Sequence, residues 1–229
     1  MNWLYRLERK FGKFSIPNLM LIIVVGQFAV FAADLIMPAL NAGGWLYLSR
    51  SLVMSGQIWR LITFIFIPPS SSVLMILISL YFYYMIGGAL ENEWGSFKFN
   101  VYYLVGMIGI IIASFLTGAG SNYYLNMSLF FAFAILWPDF EVMLFFIIPI
   151  KMKYLALFDA ILFIINIASS LMARDWATFA SIIASLLNVI LFFGGDLMHR
   201  IKREQGYAQT RKNWRSQMNE WDRNGRNFK

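Results

Sequence analysis

Six long apolar runs, separated by short polar breaks, occupy most of this 229-residue chain, and they dictate the solvent it folds in. The runs are residues 17–39, 73–90, 99–117, 123–137, 154–171 and 176–196. A helix needs about 20 apolar residues to cross a hydrocarbon core about 30 Å thick. Five of the runs approach that length. Residues 123–137 fall short, which predicts a helix held inside a bundle and shielded from lipid. Hydrophobic residues make up 59% of the chain and charged residues 14%, against about 45–50% and about 25% in soluble domains. A small soluble domain leaves too much of its surface exposed to hide that excess. Disorder, a secreted disulfide scaffold and a soluble nucleic-acid-binding domain are excluded, and an all-α polytopic membrane protein with six transmembrane helices is expected.

The segments outside the runs divide the chain into three parts. Residues 1–14 are a basic amphipathic lead, with Trp3, Leu4 and Leu7 set against Arg6, Arg9, Lys10 and Lys13, suited to lying along a membrane surface. Residues 15–196 hold the membrane domain, and 197–229 form a basic hydrophilic tail. Residues 41–69 are too polar to span and too apolar for a solvated loop. Their Trp45, Tyr47 and Trp59 favour the headgroup level. Residues 142–150 read as an interfacial linker. Six spans place both termini on one side. With that side cytoplasmic, sixteen Lys and Arg lie inside and three (Arg50, Arg60 and Arg174) outside, the bias the positive-inside rule requires. The net charge of +7 is thus assigned to lipid headgroups and topology, with no nucleic-acid partner. No cleavable signal peptide is evident. The compact layout, without a eukaryotic-style retention tail, points to a bacterial plasma membrane.

The inventory of reactive side chains is thin. There is no cysteine and one histidine, His199, beside the basic tail. No set of His, Asp or Glu has metal-ligand spacing, and no phosphate-binding glycine motif occurs, so neither metal nor cofactor is expected. Gly87, Gly88, Gly106 and Gly109, and the rows Ala177/Ser181/Ser185 and Ala180/Ala184, suit close helix packing. Intramembrane ionisable groups are functional candidates by default. Asp34 sits near the end of the first run. Asp159 lies six residues past Lys153, about 9 Å along a helix, where Lys153 is expected to pair with it. A small-solute transporter would draw on these two carboxyls, but the chain shows no internal repeat or matched helix breaks.

Three segments, in this order, resemble the rhomboid superfamily: Trp59-Arg60 at the end of the interfacial loop; Gly87-Gly88-Ala89-Leu90-Glu91 followed by Gly95-Ser96 and Tyr102-Tyr103-Leu104; and Asn126-Met127-Ser128-Leu129 followed by the linker at 145–154. The resemblance covers about residues 57–196 and implies a six-helix rhomboid-like bundle. It places Ser128 where a rhomboid protease carries its nucleophile and Ser185 near where the family carries its histidine. It places Met75 and Ser79 where the oxyanion-stabilising His and Asn would stand. No histidine lies in residues 176–196, and His199 is 14 residues from Ser185, about 21 Å along a helix. A base must come within about 2.6–3.2 Å of the serine hydroxyl. A Ser–Lys pair would need Lys151 or Lys153, on the cytoplasmic side in this topology.

The resemblance therefore implies a pseudoprotease, Derlin-like in lacking the dyad, with Trp59, Arg60, Gly87, Glu91 and Gly95 as fold motifs. The expected work is binding transmembrane segments of client membrane proteins, as adaptor, chaperone or quality-control factor. Ser79, Asn126, Ser128, Asn166, Ser185 and Asn188 are the expected polar interior. The alternatives are an intramembrane serine protease with an atypical site and the transporter. In the tail, Trp214 and Trp221 with Arg211, Lys212 and Arg215 form either a topology determinant or a surface helix that docks a cytoplasmic partner.

Overall fold

The computed structural model describes residues 2–144, 148–193 and 214. His199, Trp221 and the tail's basic residues lie outside the described residues. Residues Met1–Ile190 form one compact unit, and Leu191–Lys229 a second.

Helix α1 (Asn2–Phe11) is the predicted amphipathic lead, and an ion pair from Lys98 to Glu8 at 3.5 Å ties it to the main bundle. The chain turns through Asn18, in the left-handed region at φ 54°, into α2 (Leu19–Ile36). The interfacial loop is structured, as expected. It contains α3 (Ala42–Leu46), strand β1 (Leu48–Ser49), α4 (Arg50–Met54) and α5 (Arg60–Thr63). Helices α6 (Val73–Trp94) and α7 (Ser96–Thr117) are separated by Gly95 alone. At φ 83° and ψ 152°, that residue occupies a conformation that L side chains avoid and glycine adopts freely, which lets two long helices reverse in one step. Strand β2 (Ala119–Gly120) leads to α8 (Tyr123–Leu136). A hairpin of β3 (Glu141–Leu144) and β4 (Ile148–Lys151) fills the expected linker, with Val142 opposite Ile150. Helices α9 (Met152–Met172) and α10 (Trp176–Phe193) follow.

Among the described residues five helices, α2, α6, α7, α9 and α10, are long and apolar enough to cross a membrane. The sixth apolar run forms α8, whose 14 residues, about 21 Å at 1.5 Å per residue, fall short of about 30 Å, as expected of a helix held inside the bundle.

Small residues set the close approaches at Gly87, Gly106 and Gly109, as the sequence predicts, but the expectation for Gly88 is corrected, since its Cβ would meet open space. Helix α2 packs on α6 where a Cβ at Gly87 would collide with Met20. At Gly106 a Cβ would meet Leu125 of α8 and the Asn188 amide of α10, and at Gly109 it would lie 3.4 Å from the Ala184 Cβ. In a bilayer, where hydrophobic burial does not drive helices together, such backbone approach supplies the packing energy.

The start of α8 is sunk into the bundle. Gly120 lies against Ile110 and Ser114, so β2 doubles back along α7 instead of continuing past its end. Tyr102, fifteen residues before the end of α7, meets Ser128, only five residues into α8. At 1.5 Å per residue, α8 begins on the order of 10–15 Å below the end of α7. Irregular backbone at that depth is tolerated only where protein satisfies its polar groups. Here β1 pairs with β2, Leu48 opposite Gly120 and Ser49 opposite Ala119, and the Arg50 N–H donates to the Gly118 carbonyl at 2.9 Å.

Candidate functional site

Two of the motif elements are structural joints. Arg60 is buried, and its guanidinium stitches the interfacial loop together. Nε donates to Gln57 Oε1 at 2.7 Å, and Nη1 donates to the carbonyls of Gly44 at 2.8 Å and Tyr47 at 2.7 Å. Trp59, half exposed, donates its indole N–H to the Trp45 carbonyl at 3.4 Å. Glu91 is also buried. Its Oε1 accepts from the Asn18 N–H and the Ser96 hydroxyl, each at 2.7 Å, and so fixes the start of α2 against the turn between α6 and α7.

The expected polar interior forms in part. Ser128, Ser185, Asn126 and Asn188 are all buried. Tyr102 organises two of them: its hydroxyl donates to Ser128 Oγ at 2.9 Å, and its carbonyl accepts from the Asn188 amide at 3.2 Å. Ser128 in turn donates to the Leu125 carbonyl at 2.6 Å, one turn back on its own helix. Tyr103 donates to Asn126 Oδ1 at 3.1 Å. Ser185 donates to the Ile182 carbonyl at 2.8 Å.

Serine activation needs a base at the hydroxyl proton. Around Ser128 the proton points to a backbone carbonyl, and the neighbour on the other side is a phenol that donates.

Two expected interior residues stand apart. Asn166 is part-exposed and donates to the Leu162 carbonyl of its own helix at 2.8 Å, and Ser79 is only half-buried on α6.

The two membrane carboxyls part ways. Asp34 caps α3: Oδ1 accepts from the Ala42 N–H at 2.5 Å and Oδ2 from the Gly43 N–H at 3.0 Å. It is the anchor of a short helix at the loop. The expected Lys153–Asp159 pair is corrected. Lys153 Nζ reaches Asp139 at 2.8 Å, and Lys151 approaches the same carboxylate at 3.8 Å. The hairpin brings residue 139 to the start of α9, where it is closer to both cations than a residue deeper in that helix. The Lys153 hydrogen bond and charge hold the Asp139 carboxyl below its usual range. Asp159 is left buried, and its Oδ2 has no hydrogen-bond partner among the described residues.

Two further polar braces were not anticipated from the sequence. Asn122 donates to the carbonyls of Ile65 and Ile67, both at 3.0 Å, and Gln27 donates to the same Ile65 carbonyl at 2.8 Å. They bind the sunken start of α8 and the middle of α2 to the end of the interfacial loop. An amide placed mid-run, as Gln27 is, was the available signal. Among the described residues, no cluster of three His, Cys, Asp or Glu is placed to hold a metal ion.

No curated protein matches the chain. The family that matches is described as eukaryotic, which does not fit the expected bacterial plasma membrane. The match runs over residues 18–189, from the start of α2 into α10, and the chain therefore belongs to the eukaryotic integral membrane protein family DUF1751.

Proposed function

We propose that this is a non-catalytic, rhomboid-like membrane protein that binds transmembrane segments of other membrane proteins, acting as adaptor, chaperone or quality-control factor. The observation that carries the reading is the polar interior of α7, α8 and α10. Its candidate nucleophile, Ser128, is held between Tyr102 and the Leu125 carbonyl, while Asn188 Oδ1 is buried without a partner among the described residues. Buried polar atoms are nearly always satisfied in a working state. An orphaned acceptor beside a short helix suits a client segment that brings its own donors or needs partial unwinding. Support for the rhomboid-like fold comes from the joints at Arg60 and Glu91 and from the central placement of Ser128. The short α8 together with the recessed segment before it spans the depth of one crossing, which keeps both termini on one side, as the charge bias requires.

A photocrosslinking residue at Ser79 or Ser185 in the full chain tests this. Adducts with membrane proteins, at a transmembrane position by mass spectrometry, are expected. Adducts with lipid alone would refute client binding. Fluorophosphonate labelling that disappears in Ser128→Ala would refute the non-catalytic part.

A further inference from the structure

Glu8 is the only carboxyl in the first 33 residues, and Lys98, near the start of α7, neutralises it across 3.5 Å. Arg9, Lys10 and Lys13 are all exposed. Among the described residues no carboxylate forms an ion pair with any of them, not even Glu93, which is exposed near the end of α6. Lys10 instead lies over the Phe11 ring, 5.4 Å from its centroid. Apolar side chains are interleaved with these cations. Leu7, Phe11, Phe14 and Ile16 are exposed, Phe14 to 82%. Leu7 and Phe11, four residues apart, share one face of α1, and Arg9 lies on the opposite one. A helix of that pattern rests in the membrane interface with its apolar face down.

The chain fixes where this surface sits. Ile16 comes three residues before α2 begins at Leu19, and α2 is long and apolar enough to span, so residues 9–16 stand at the headgroup level of one leaflet. The lead is also held in place. Besides the ion pair between Lys98 and Glu8, the Asn100 amide donates to the Ile16 carbonyl at 3.1 Å, and the Asn18 N–H donates to Glu91 at 2.7 Å. Part of the ordering cost of binding is thereby met within the fold.

We propose that residues 7–16, docked on the start of α7, form a surface that selects acidic phospholipids in the leaflet where α2 begins. The sequence predicts a segment that lies on a membrane; its fixed placement turns a general attraction into a local preference for one lipid class, independent of client binding. A zwitterionic headgroup brings its own ammonium and leaves Arg9, Lys10 and Lys13 without a counter-charge, whereas a headgroup of net negative charge supplies it. An acidic protein segment would meet the cations but leave Phe11 and Phe14 without an acyl surface.

The full chain has no cysteine, so a single Phe14→Cys carries an energy-transfer donor without competing labels. It is reconstituted in phosphatidylcholine vesicles with a trace of chain-labelled phosphatidylglycerol or chain-labelled phosphatidylcholine as acceptor. At low salt the acidic lipid should be enriched about fivefold around position 14. The enrichment should fall toward equality at about 1 M salt, where the Debye length is about 3 Å. A donor at Leu40→Cys, past the far end of α2, should show a much smaller preference. Replacing Arg9, Lys10 and Lys13 together by glutamine should remove the preference at position 14. Equal transfer from both lipids at position 14, a preference that salt does not weaken, or the same preference at positions 14 and 40 would overturn the proposal. These comparisons keep all three cations, so they decide the matter even where the triple variant misfolds. Preference retained in a folded triple variant would also overturn it. So would equal transfer accompanied by a shift of the label on adding polyglutamate, which would assign the cations to an acidic protein partner.

Discussion

Replacing Arg60 by alanine should loosen the interfacial loop more than any other single change in it. The guanidinium makes three hydrogen bonds within that loop, to Gln57, Gly44 and Tyr47. Bonds to a charged donor contribute about 1.5–3 kcal/mol each. Two effects offset that sum. Releasing a buried cation recovers several kcal/mol of desolvation, and Gly44 and Tyr47 are themselves exposed, so headgroup water can reach their carbonyls once the arginine is gone. The net cost therefore falls well below that sum, at about 2–3 kcal/mol. For a chain of this size that lowers the unfolding midpoint by about 4–12 °C. Hydrogen exchange, read peptide by peptide in detergent, should accelerate over residues 42–60 before it does in α6 or α7. Arg60→Lys should recover only part of the loss, because an ammonium cannot hold the fork of contacts that Nε and Nη1 make. An alanine variant with an unchanged midpoint and wild-type exchange across 42–60 would refute the view that this side chain organises the loop.

Gly87→Val should destabilise by about 1–3 kcal/mol through overpacking against Met20, whereas Gly88→Ala, with open space at its Cβ, should be neutral or stabilising by up to about 1 kcal/mol; thermal unfolding of the pair in one detergent separates the two. Ser128→Ala leaves the Tyr102 hydroxyl buried without its acceptor and should cost about 1–2 kcal/mol, a stability loss measurable by thermal unfolding. At the start of α10, hydrogen bonds from the Thr178 side chain and N–H hold the Asp175 carboxyl below its usual range. The cap should therefore contribute fully above about pH 4 and fade as pH falls through the lowered value. Asp175→Ala should cost about 0.5–1 kcal/mol at neutral pH and progressively less in acid, as read from unfolding midpoints across a pH series.

Charge placement and apolar run length made the membrane class and the main helices legible without coordinates, because a bilayer enforces both locally. Close packing at Gly87, Gly106 and Gly109 was legible for a related reason: helix spacing converts small residues into faces. The interior was only half legible. Asn126, Ser128, Ser185 and Asn188 are buried, but Asn166 and Ser79 are not, since which face of a helix turns inward depends on its neighbours. Glu91 was singled out by resemblance alone, and its role as a joint appears only when Asn18 and Ser96 converge on it.

The sequence by itself determined that this chain lives in a membrane, where its helices run and where the tight contacts fall, because hydrophobic length and residue size act over a single turn or a single span. Tertiary structure alone decided which carboxyl Lys153 would meet, that α8 would begin deep in the bundle, and that Asp159 would be left without a cation among the described residues. Those outcomes turn on a hairpin and a doubled-back strand that bring residues 139 and 120 to places no helical spacing predicts, and electrostatic pairing follows distance in space rather than separation along the chain.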